Sequence, residues 1–164
     1  MFRPLRADEI EVRVSTINEK GATLLLYKDA RVDQNILDET VTPFGWQREH
    51  KEVKGNVYCG VGIKSADEWV WKWDAGAESY TEKVKGEASD SFKRACFNWG
   101  IGRELYSAPF IWVSSKDINM IEKNGKQTTY DKFLVEKIEY NDKQEIEKIA
   151  IKNSKTGKRV FLLI

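Results

Sequence analysis

KGEASDSFKRACFNWGIGRELY, residues 85–106, is the stretch on which the fold turns. Its apolar residues Ala88, Phe92, Ala95, Cys96 and Trp99 recur at helical spacing, so a helix from about Glu87 to Trp99 is expected to lay one face on a sheet. Gly100 fits the left-handed position that stops a helix. Asp90, Lys93, Arg94, Phe97 and Asn98 then project away from the apolar face. That polar side has two readings. In one it is a solvated surface, with Asp90 and Arg94 as an i,i+4 pair contributing about 0.2–0.5 kcal/mol. In the other, Lys93 and Arg94 meet phosphates while Phe97 offers a stacking or subunit-packing surface, the combination by which single-strand binders hold nucleic acid. Spacing alone leaves both open.

Outward from this helix the chain alternates strands and turns. Upstream, Glu11–Asn18 alternates charged and apolar residues, Glu19-Lys20-Gly21 turns, and Ala22–Tyr27 is apolar. This predicts a β-hairpin with Gly21 at positive φ. Asp29 is expected to cap a helix running to about Val41, with Val32, Ile36, Leu37 and Val41 on one face, ended by Pro43-Phe44-Gly45. Trp46–Val53, Asn56–Lys64 and Glu68–Asp74 read as a three-stranded antiparallel meander turning at Lys54-Gly55 and Ser65-Ala66-Asp67. A polar linker, Ala75–Lys83, is expected to be mobile. Downstream, Pro109–Val113, Lys132–Tyr140, Ile146–Asn153 and Arg159–Ile164 are strand-like, with turns at Asn124-Gly125, Asn141-Asp142 and Thr156-Gly157. Strand clusters interrupted by two helices make the fold class α+β.

Composition narrows the function. The 164 residues are 41% hydrophobic and 32% charged, ordinary for a globular chain that buries a core without staples. No apolar run approaches the roughly 18 residues of a membrane span, and the opening MFRPLRADEI lacks the apolar region of a secretory leader. Cys59 and Cys96 are far apart and outside any C-x-x-C pattern, which points to reduced thiols and a cytoplasmic setting. Net charge is +1, but residues 1–82 hold 11 basic and 15 acidic side chains against 16 and 11 in residues 83–164. An anion site on this chain is therefore a local patch.

The inventory for covalent chemistry is poor. Gly100-Ile101-Gly102 follows a helix and lacks the third glycine of a dinucleotide fingerprint, and no G-x-x-x-x-G-K-[ST] loop exists for ATP. His50 is the sole histidine and lies in a strand between Glu49 and Lys51; with two scattered cysteines it assembles no deaminase-type zinc site. Carboxylates such as Glu78, Glu82, Glu87 and Asp90 form no compact two-metal nuclease signature. Trp69, Trp71 and Trp73 alternate along one strand and share a face, which suits a core, a subunit contact or a platform for bases.

In order and spacing, Lys85, Gly86, Ser89, Asp90, Lys93, Arg94 and Ala95, followed by Gly100-Ile101-Gly102-Arg103, Leu105 and Tyr106, resemble the helix motif of the Rad fifty-two / Rad twenty-two single-strand annealing family, especially its phage Sak-like and bacterial DdrA-like branches. Tyr27-Lys28-Asp29-Ala30-Arg31-Val32 looks like the family's tyrosine-initiated helix with an early arginine. Phe44-Gly45-Trp46 and the strand Glu68–Trp73 also fit, so the resemblance covers roughly residues 5–113. It implies a β-β-β-α core whose curved antiparallel sheet packs against the long helix, preceded by a hairpin and helix. It also implies assembly into a homo-oligomeric ring. Single-stranded DNA would lie in a basic groove, phosphates inward, and complementary strands would pair without ATP, metal or other cofactor.

Carried over by position, Lys93 and Arg94 would contact the DNA backbone, Arg31 would join them from the first helix, Lys85 would be a further contributor, and Arg103, in the Gly-Ile-Gly-Arg turn, would be either a DNA contact or structural. Phe97 stands where eukaryotic members carry another basic residue, and Glu87, Ser91 and Phe92 replace smaller or more aliphatic ones. The expected organisation is an annealing core over residues 1–115 and a β-rich extension of the same domain over 116–164. Strands beyond about Lys126 have no counterpart in the eukaryotic core. The expected role is non-enzymatic annealing in recombination and double-strand break repair, in a bacterial or phage-infected cytoplasm. Its partners would be single-stranded DNA, further copies of the chain and a single-strand-binding protein. The rivals are a DNA-end-protecting or interaction module of the same fold, and a metal-dependent nuclease.

Overall fold

The computed structural model describes residues 1–77 and 83–164, with side chains in the second helix described from Gly86 onward. Much of the expected linker Ala75–Lys83 lies outside the described residues. In chain order the elements are β1 (Glu11–Asn18), β2 (Gly21–Tyr27), α1 (Ala30–Val41), β3 (Trp46–Val53), β4 (Asn56–Ser65), β5 (Glu68–Ala75) and α2 (Lys83–Asn98). They continue as β6 (Ile111–Ser114), β7 (Ile121–Lys123), β8 (Lys126–Thr128), β9 (Phe133–Tyr140), β10 (Ile146–Asn153) and β11 (Arg159–Leu163). The fold is α+β, with antiparallel sheets and two α-helices. The strand boundaries read from alternation and turn residues agree to within a residue or two. α2 begins four residues earlier than expected, and the small hairpin β7–β8 was legible only as its Asn124-Gly125 turn.

Contacts gather into two compact units that interleave along the chain: Met1–Arg3 with Asp29–Arg103, and Pro4–Lys28 with Glu104–Ile164. In the first unit the meander β3-β4-β5 is antiparallel throughout. Cys59, Val61 and Ile63 of β4 point to one face and are buried, and Phe92, Ala95 and Cys96 of α2 meet that layer with no exposed surface. α1 contributes Ile36 and Leu37, also fully buried. Trp46 ties the layer together: its indole N–H donates to Asp38 of α1 at 2.7 Å, and its ring lies 5.9 Å from that of Phe92.

α2 ends as the glycine foretells. Gly100 sits at φ 94°, the Ile101 N–H reaches back to the Cys96 carbonyl at 3.1 Å and the Gly100 N–H to that of Phe97 at 2.9 Å. This is a Schellman closure, and Ile101 is buried behind it.

In the second unit β1 and β2 join the C-terminal strands in one six-stranded sheet, ordered β11-β10-β9-β1-β2-β6. Gly21 has the expected positive φ, at 159° close to extended, and a Cβ there would also strike the Val113 carbonyl and the Trp112 ring of β6. Proximity of the neighbouring strand is thus a second demand for glycine. Within this unit Glu104 is buried and accepts from the Leu5 N–H at 2.8 Å, while the Tyr140 hydroxyl donates to the Leu5 carbonyl at 2.7 Å. Asp131 and Asn153 are likewise buried and joined at 2.7 Å.

Candidate nucleic-acid interface

The start of α1 is built by Asp29. Its carboxylate caps the helix by accepting from the Arg31 N–H at 2.8 Å and also accepts from Arg31 Nε at 2.9 Å. One acid thus satisfies a helix end and aims a guanidinium, whose side chain stays 83% exposed. Hydrogen bonds from Arg31 hold the Asp29 carboxyl below its ordinary pKa, and the charge of Lys93 acts in the same direction. Residues 62 positions apart in sequence therefore act on one carboxylate, because α1 and α2 pack together in this unit.

On α2, burial of Phe92, Ala95 and Cys96 leaves Lys93 half-buried and Arg94 exposed. Arg94 Nε donates to Asp90 at 2.9 Å, as the i,i+4 spacing foretold. The same Asp90 oxygen accepts from the Ala77 N–H at 2.8 Å. Asp90 is therefore anchored to the chain leaving β5, and it orients Arg94 in turn. Exposed pairs of this kind contribute about 0–1 kcal/mol, so a phosphate competes readily with the carboxylate for the guanidinium.

Arg103 serves the end of α2. Its Nε donates to the Phe97 carbonyl at 2.8 Å and its Nη2 to the Asn98 carbonyl at 3.0 Å, where the helix dipole concentrates negative charge. Its guanidinium also stands 5.5 Å from the centre of the Phe97 ring. The turn thus brings a positive charge beside position 97, where the resemblance implied that one was lacking. Lys72 of β5 converges on the same place, donating to the Asn98 carbonyl at 3.3 Å with its ammonium 4.8 Å from the Trp99 ring centre. No pattern within β5 singles out Lys72, because its partner lies 26 residues away on another element.

Arg31 and Lys93 stand on two helices that pack together, with Arg94 next along α2 and Arg103 at the helix end. Lys85 lies in the first turns of α2, and its side chain is outside the described residues. Among the described residues no group of three or more His, Cys, Asp or Glu side chains is placed to hold a metal ion, and no helix is long and apolar enough to cross a membrane. The site is a row of exposed and half-buried cations on rigid elements, oriented by acids. Such a row suits an extended polyanion.

Residues 57–124 match the model of the Rad52/22 family double-strand break repair protein, a span that runs from β4 through α2 to the β7 region. The chain is 35% identical over 106 residues to the single-stranded DNA-binding protein DdrA of Deinococcus deserti, covering 63% of this chain and 52% of that protein. It is 36% identical over 98 residues to the DdrA of Deinococcus radiodurans, covering 58% and 47%. The chain spans about half the length of these curated relatives. No solved structure matches it. The motif K-G-x-x-S-D-x-x-K-R-A…G-I-G-R-x-L-Y and the helix that carries it lie within the matched span, and over that span the chain is similar to the Rad52/22 family and to its DdrA relatives.

Proposed function

We propose that this protein binds single-stranded DNA and promotes ATP-independent annealing of complementary strands in recombination and double-strand break repair, working as a homo-oligomeric ring. The observation that supports the reading is the pair of exposed guanidiniums, Arg31 and Arg94, each aimed by an acid on the packed helices α1 and α2, with Lys93 beside Arg94 on α2. Annealing requires no covalent step. It requires two strands held with their backbone repulsion neutralised and their pairing edges free, which cations on the phosphates supply. In this reading Arg31, Lys93 and Arg94 take the phosphates. Arg103 adds charge through the N–H groups its cap leaves over, since a guanidinium has five donors, and Lys85 extends the row. A single-strand-binding protein is a further partner in the same setting.

The test is annealing of complementary oligonucleotides without nucleotide, by wild type and by Lys93→Ala/Arg94→Ala. The double variant is expected to lose annealing and to lower the log–log salt slope of DNA binding by about two, one per lost phosphate contact. A folded double variant with an unchanged slope sinks the assignment. The Deinococcus relatives carry names that state binding alone, which favours a second reading: a protein that binds and shields strands without pairing them. Tight binding with no acceleration of pairing selects that reading.

A further inference from the structure

The face of the meander turned away from the helices carries Trp69, Trp71 and Trp73 at two-residue spacing on β5. α1 and α2 occupy the other face, where Trp46 and Arg48 meet Phe92 and Lys72 meets Trp99. Across the ladder Trp71 pairs with Gly62 and Trp73 with Gly60. A Cβ at Gly60 would fall 2.6 Å from the Trp73 ring, and one at Gly62 would fall 2.8 Å from that of Trp71. The two indoles therefore lie flat on the β4 backbone, in space that only glycine leaves; both are half-buried, and the Lys51 ammonium stands over the Trp73 ring. The two rings are near-parallel, 25° apart in plane with centroids separated by 5.9 Å, and Trp69, 38% exposed, continues the row.

Charge marks both ends. The Lys51 ammonium is 4.8 Å from the Trp73 ring centre, and Lys64 pairs with Trp69 at the far end. Glu49, 3.9 Å from Lys51, is the carboxylate that faces the row from β3.

We propose that this tryptophan row is a stacking platform for the bases of a single strand, with Lys51 and Lys64 near its phosphates. The inference rests on the reading of the protein as a single-strand binder and adds a contact separate from the Lys93–Arg94 face. An indole face accepts any base, a base reaching Trp73 displaces the Lys51 ammonium toward a phosphate, and flanking lysines favour a polyanion over another apolar surface. The ring separation exceeds the roughly 3.4 Å rise of a stacked strand, so the platform takes bases spread apart from one another. Stacking uses the face of a base and leaves its pairing edge free.

The experiment compares a thymidine oligonucleotide with an abasic one of equal length. Wild type is expected to bind the thymidine strand more tightly and to show stronger quenching of tryptophan fluorescence with it. Trp71→Ala/Trp73→Ala is expected to lose roughly tenfold or more in affinity, to stop distinguishing the two strands, and to keep its salt slope. Trp71→Phe/Trp73→Phe, which keeps aromatic faces, is expected to retain most of the discrimination. Equal quenching and affinity of wild type for both strands overturn the platform while leaving single-strand binding intact. Loss of oligomer mass in the alanine variant, with affinity restored at high protein concentration, overturns it in favour of a contact between copies. A wild type that binds neither strand removes the underlying reading as well.

Discussion

At the scale of single residues, the exposed Arg31 of α1 and Arg94 of α2 are each answered by an acid that also does structural work. Asp29 caps α1 and holds Arg31; Asp90 holds Arg94 and the Ala77 N–H. Asp29→Asn keeps the cap, since asparagine caps as well as aspartate, but removes a negative charge beside the proposed phosphate path. We expect nearly unchanged thermal stability and tighter DNA binding at low salt, read by titration in two salt concentrations. The Asp29 pKa is depressed in the folded state, so the pairing contributes above the ordinary carboxylate range and is lost as pH falls through the folded value. Glu104 is the opposite case. Burial raises its pKa, against hydrogen bonds from backbone N–H groups and the charge of Lys28. A raised folded pKa means that stability falls as pH rises through the carboxylate range. Glu104→Gln lacks this titration, so its melting temperature should gain on wild type between about pH 4 and neutrality; a pH-independent difference would contradict the assignment. The Arg94–Asp90 pair was legible in the sequence, because i,i+4 spacing is local. The Lys93–Asp29 and Lys72–Asn98 approaches were not, because two elements must pack before those residues meet.

At the scale of elements, α2 shows what periodicity reads and what it leaves unread. Its apolar stripe and its stop at Gly100 were plain, since the 3.6-residue repeat and a left-handed C′ glycine are properties of the helix itself. Its first turn was not read, because Lys83-Val84-Lys85-Gly86 carries no stripe and includes a residue of low helix propensity. Arg103 had two readings, a DNA contact or a structural residue, and the structure shows it capping α2 by bonds to two terminal carbonyls. Arg103→Lys keeps the charge and loses the planar fork. We expect a loss of about 1 kcal/mol in stability with the salt slope of binding preserved, measured by denaturant unfolding and by titration. A fall in slope with no change in stability would make Arg103 a phosphate contact alone. Gly21 was legible in part: its hairpin context foretold the positive φ, while a second requirement comes from β6, far downstream in the sequence.

At the scale of the whole molecule, the ring remains the part of the proposal that mass tests most directly. Light scattering is expected to give a large multiple of the 19.0 kDa subunit, and a monomer would undo the ring. Alternation, turn residues and helical repeats settled the α+β class, the meander and nearly every strand boundary, because these depend on the chain's preferences over a few neighbouring residues. The family motif was legible for the same reason, being a local pattern of spacing. Strand order was not. Alternation tells which residues share a face but not which strand lies alongside, and β1 meets β9 through Glu11 and Leu134, on opposite sides of the entire meander. Only the folded chain decides that pairing. It likewise decides that β4 places glycines beneath two indoles and that Lys72 of β5 meets the end of α2. Each depends on contacts between residues far apart in sequence, and these form when burial of the apolar faces brings the elements together.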